Sequence, residues 1–105
     1  MILSAEAARD ALDYTTINEM PPKVTSILLP GIDDYLKSAT GKDWGKLTSA
    51  YTAVDPTAIT VASILLVRWF NDPGQIGQVN DVGVLSMITQ LEAKALVEKQ
   101  AEAAE

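Results

Sequence analysis

Apolar residues along this chain recur at the three- and four-residue spacing of helix faces, and no stretch alternates apolar and polar positions as a half-buried strand would. Ser4 is placed to cap a short first helix from Ala5 to about Leu12, with Glu6 in its first turn, where the helix dipole favours negative charge. Tyr14, Thr15 and Thr16 continue a helix poorly, so Asp13 to Met20 reads as a connection. Pro21 and Pro22 suit the start of a second helix, where a missing N–H costs nothing. Val24, Ile27, Leu28, Gly31, Tyr35 and Ala39 then share one face, widened by Leu29, Ile32 and Leu36, and Gly41 is a natural stop after Thr40. Pro30 complicates this helix, because a proline there forfeits the bond to Ser26 and clashes with its carbonyl. The helix either kinks at Pro30 or splits at Leu29, and the apolar stripe beyond favours the kink.

Lys42 to Val54 shows no clear period and reads as a loop, with a short turn near Lys46 to Tyr51. Asp55-Pro56 is a strong helix start, a cap followed by proline at the first helical position. The third helix runs from Pro56 to about Phe70 and is apolar on nearly every side, with only Thr57, Thr60, Arg68 and Asn71 as a polar stripe. Such a helix is central to the core or is covered by another subunit. Asn71 to Asn80, with Pro73, Gly74 and Gly77, is a loop by composition. Asp81 can cap a fourth helix whose apolar face is Val84, Met87, Ile88, Leu91 and Ala95. The reading is an all-α fold, a small bundle of about four helices, with residues 1–97 as a single domain and 98–105 as a fraying tail.

Composition narrows the function. With 105 residues, 48% of them hydrophobic, the chain has one domain with a real core. Fourteen acidic against eight basic residues, a net charge of -6, argue against tight non-specific DNA binding. There is no cysteine and no histidine, which removes thiolate metal sites, the commonest metal ligand and the commonest general base at neutral pH. No apolar run approaches the roughly 20 residues of a membrane span. Met1 to Asp10 lacks a basic region followed by an apolar stretch, so a cytoplasmic protein without a signal peptide is expected.

The signals that resemble chemistry are weak. Gly41-Lys42-Asp43-Trp44-Gly45-Lys46-Leu47-Thr48 resembles a phosphate-binding loop, but three residues rather than four separate its glycines, and Leu47 stands where a serine or threonine is required. Asp33 and Asp34 are adjacent on a helix and point about 100° apart, so they do not converge on one proton or metal. Asp72 and Asp81 flank a loop whose Gln75, Gln78 and Asn80 lack the charge of a calcium site. No catalytic residue, metal ligand or cofactor site is assigned, and an enzyme is not expected. The candidates left are for contacts between proteins: Trp44 and Tyr51 in the first long loop, Arg68 and Trp69 at the end of the third helix, and Gln75 and Ile76 in the second loop. For Trp69 core packing is the favoured reading, whereas Trp44 is equally an anchor on the core or an interface residue.

Three segments carry a family likeness: Ala39-Thr40-Gly41-Lys42-Asp43 closing the second helix, Leu65-Leu66-Val67-Arg68-Trp69-Phe70-Asn71 closing the third, and Val82-Gly83-Val84-Leu85-Ser86-Met87-Ile88-Thr89-Gln90-Leu91 opening the last. In this order and spacing, over Leu3 to Leu91, the chain resembles the head-tail connector family of long-tailed phages, the small proteins similar to the HK97 connector. Pro30, Asp72-Pro73 in place of a basic residue, and the longer tail after Leu91 depart from the family pattern. The resemblance implies a structural virion protein made in the host cytoplasm. About twelve copies would form a ring in heterologous contact, docked on the portal protein and joined below by neck and tail completion proteins, with DNA passing through unbound. The two long loops are then the expected places for neighbour or portal contacts. The alternative is a small acidic cytoplasmic interaction module, regulator or antitoxin-like, binding a basic partner protein.

Overall fold

A computed structural model describes residues 1–47 and 52–104. Among these residues there are four α-helices and no strand: α1 (Ala5–Ala11), α2 (Leu29–Thr40), α3 (Pro56–Asn71) and α4 (Val82–Ala104). Single 3-10 turns lie at Ile17–Glu19 and Pro73–Gln75. The short turn expected near Lys46 to Tyr51 falls largely outside the described residues.

Local chemistry sets the helix ends. The Ser4 hydroxyl accepts the Ala7 N–H at 3.1 Å and starts α1. Asp13, at φ 62°, turns the chain away after it, a left-handed conformation that aspartate tolerates better than most residues. Asp55 accepts the Thr57 N–H at 2.8 Å and starts α3, with Pro56 at its first position. Asp81 accepts the Val84 N–H at 3.1 Å and starts α4. Gly41, at φ 82°, stops α2 and donates its N–H to the Lys37 carbonyl.

Pro30 does not split the second helix: it sits in the first turn of α2, and the departure from α geometry lies just before it. Helix is continuous over residues 22–40, and the segment Val24–Leu28 just before the proline is wound as a π turn. There the Leu29 N–H reaches back to Val24 O. The wider winding takes up the mismatch that the proline ring and its missing N–H create. Of the kink or split that the sequence offered, the split does not occur, and the π turn is how the helix passes the proline.

The molecule is flat, 47 × 30 × 18 Å in principal extents, which is about two helix layers thick. α3 is central, in contact with α1, α2, α4 and the π turn, while α4 packs on α2 and α3. Ile32 and Leu36 of α2, Val61, Leu65, Leu66 and Trp69 of α3, and Leu91 of α4 are fully buried where the three helices meet. Val24 of the π turn closes the same core. α4 continues through Ala104, and Glu98 is held by a 2.6 Å ion pair to Lys42 at the end of α2.

Candidate functional site

The six residues singled out from sequence do not form one site. Tyr51 lies outside the described residues. Trp44 is buried, and its Nε1 donates to the Thr40 hydroxyl at 2.7 Å. That hydroxyl donates in turn to the Leu36 carbonyl at 2.6 Å, so the loop after α2 is fastened to the helix it leaves. Lys42 Nζ stands 4.5 Å from the centre of the Trp44 ring, closing its outer side. Gly45 completes the fold-back: a Cβ there would lie 2.8 Å from the Met1 carbonyl carbon, so only glycine lets the loop cross the amino-terminal segment this closely. Of the two readings open for Trp44, the core anchor is the one the chain adopts.

Trp69 is buried as well. Its Nε1 donates to the Gln78 carbonyl at 3.1 Å, and Tyr35 packs edge-on against it with ring centres 5.7 Å apart. Both tryptophans therefore spend their rings inside the subunit, which corrects their place among the interface candidates. The physical reason is the same in each case. A ring beside a flat two-layer core buries more surface by folding back than by standing out, and a nearby acceptor satisfies its N–H.

Arg68, Gln75 and Ile76 are the candidates that reach the surface. The Arg68 guanidinium pairs with Asp81 Oδ2, linking the end of α3 to the start of α4. Gln75 is half-buried, and its side-chain oxygen accepts from Asn80 Nδ2 at 3.0 Å. Ile76 is 43% exposed. Arg68, Gln75 and Asn80 border a pocket of about 280 Å³ floored by Leu65, Trp69 and Val84. The Asp81 carboxyl is held below the usual carboxylate range, chiefly by the Val84 N–H and then by Arg68. It stays ionised at neutral pH and answers the Arg68 charge. Among the described residues no three acidic side chains gather where they could hold a metal ion, and no helix is long and apolar enough to cross a membrane.

The surface the sequence reading missed is the outer side of α4. Val82, Leu85, Leu96 and Val97 are all exposed, Val82 at 82%. The opposite face buries Val84, Ile88, Leu91 and Ala95 as expected, with Met87 partly buried beside them. The missed signal was legible: between Asp81 and Glu98 the only charged residues are Glu92 and Lys94, too few for a solvated helix back. No family model, no curated protein and no solved structure matches this chain.

Proposed function

We propose that this chain is a structural, non-enzymatic subunit of a phage head-tail connector, a ring that joins the portal to neck and tail proteins and lets DNA pass. The observation that carries the reading is the order and spacing of the three motif segments between Leu3 and Leu91. Their positions in the fold support it. The first segment caps α2 and is tied to α4 through Lys42 and Glu98, and the second is tied through Arg68 to Asp81, which caps α4 just before the third. The segments thus lie at the joints that hold the helices in register, where a shared architecture would keep its residues. An acidic chain of net charge -6 also suits a channel wall that must not grip DNA.

Ile59 of α3, exposed on an otherwise buried helix, is surface that a ring neighbour would cover. The test is co-expression with a portal protein followed by negative-stain microscopy. A ring of this chain seated on the portal supports the proposal. A chain that joins neither portal nor neck complexes overturns it. Stoichiometric capture of one basic protein without ring formation would instead establish the acidic interaction module.

A further inference from the structure

From Val82 to Val97 the outer side of α4 forms a continuous uncharged stripe. At about 100° per residue, Val82, Leu85, Leu96 and Val97 fall within one sector of the helix, interleaved with the small or short residues Ser86, Thr89 and Ala93. All seven are exposed. Glu92 and Lys94 flank the sector on opposite edges. The arrangement is close to palindromic. Val82 and Val97 are equidistant from the point between Thr89 and Gln90, and so are Ser86 and Ala93; the midpoint of Leu85 and Leu96 falls one residue further on. Large apolar residues thus occupy both ends, and small ones occupy the middle, where two helices must approach most closely.

From this pattern we infer that α4 pairs with α4 of a second copy, antiparallel about a two-fold axis near Gln90. The pairing sets each end of the stripe on the opposite end of its copy, Val82 against Val97 and Leu85 against Leu96. Charge supports a second copy as the occupant. Two chains of net charge -6 repel across most of their surfaces, and this stripe is where they can meet without opposing charges. Asp81 and Lys99 lie about 100° from the centre of the stripe, toward the buried side of the helix, where Asp81 holds Arg68 and Lys99 Nζ lies beside Gly41, so neither charge opposes the pairing. Glu92 is the one opposed feature, since its two copies approach each other across the axis on its edge of the sector.

The stripe is about 24 Å long, which gives an interface below the ~1,200 Å² of most specific complexes. The pair is therefore weak and in rapid exchange. It is isologous, closing at two copies, and so is distinct from ring formation and does not rest on the connector reading.

Sedimentation equilibrium of the full chain from about 10 μM to about 1 mM, the range of weak association, should show the mass rising from one copy towards two. Leu85→Glu should hold it at one copy throughout. Glu92→Gln should lower the midpoint concentration about twofold, in line with relief of one like-charge pair. Because the chain has no cysteine, oxidative cross-linking gives a second, independent reading. Val82→Cys mixed with Val97→Cys should form the mixed disulfide faster than either variant forms its own. Circular dichroism checks that Leu85→Glu is folded; if it is not, the cross-linking pattern decides. A wild-type mass of one copy at every concentration, a mass beyond two copies, or self-linking of Val82→Cys as fast as the mixed product would overturn the inference.

Discussion

The helices α3 and α4 are both rich in apolar residues, yet they meet the solvent in opposite ways. α3 is surrounded by α1, α2, α4 and the π turn, and it buries Ala58, Val61, Ala62, Leu65, Leu66 and Trp69. α4 lies on one side of a flat molecule and buries a single stripe, leaving Val82, Leu85, Leu96 and Val97 outside. The extra apolar surface that the sequence placed on α3 is therefore mostly consumed within the subunit, with Ile59 as the exposed remainder, and the larger uncovered share is on α4. The number of neighbours, not apolar content, decides whether a helix face is core or contact surface. The largest expected effect tests this directly. Leu66→Ala should cost about 2–5 kcal/mol, the range for emptying a full core position. Leu96→Ala should stay within about 0.5 kcal/mol, as for surface positions. Urea denaturation at low protein concentration measures both, and similar losses would break the comparison.

The two buried tryptophans sharpen it at the next level. Trp69 gives its N–H to a backbone carbonyl, whereas Trp44 depends on the Thr40 side chain. Thr40→Val should therefore cost about 1–3 kcal/mol, the penalty for leaving a buried donor unsatisfied, and Thr40→Ser should recover most of it. Equal stability of the valine and serine variants would mean that the hydroxyl does not hold the loop. Gly45→Ala acts on the same fold-back through sterics, and overpacking of this kind costs about 1–3 kcal/mol. Its effect should be accompanied by increased proteolysis of the amino-terminal segment, which Gly45 approaches through Met1 and Ile2.

Much of the helical framework was legible in the sequence because its signals are local. Ser4, Gly41, Asp55-Pro56 and Asp81 each act within a few residues, and each marks a helix end that the structure contains. The π turn at Val24–Leu28 was not legible, because proline states only that α geometry must yield and not how. The candidate interface residues were judged by type. Trp44, in a loop, looks as much like a contact residue as a core anchor until the Thr40 hydroxyl is seen beside it, and the Gln78 carbonyl that fixes Trp69 in the core likewise depends on how the chain folds back. The outer stripe of α4 is masked in the sequence by the complete core-facing stripe on the same helix, Val84, Ile88, Leu91 and Ala95.

The smallest expected effect is in the pH dependence, and it separates the helix starts from the body of α2. Burial pulls the Asp55 carboxyl upward, but the Thr57 N–H and the Lys94 ammonium outweigh it, and its pKa is lowered. The Asp81 pKa is lowered by the Val84 N–H and Arg68. Lowered folded-state values mean that the unfolded chain binds more protons in acid, so both groups contribute stability above about pH 4 that is lost as pH falls through their folded values. Asp33 has the opposite sign. Its burial outweighs the hydrogen bond it accepts from the Ile2 N–H at 3.2 Å, and its pKa is raised. Its contribution is present in acid and is lost as pH rises through that raised value. Thermal melts between pH 7 and pH 3 should therefore fall less steeply in Asp55→Asn than in the wild type, and more steeply in Asp33→Asn. Asparagine keeps an acceptor oxygen at each site, so the paired change in slope reports charge rather than a lost hydrogen bond. Slopes that move in the same direction in both variants would show that the cap of α3 and the half-buried carboxylate of α2 are not under opposing electrostatic control.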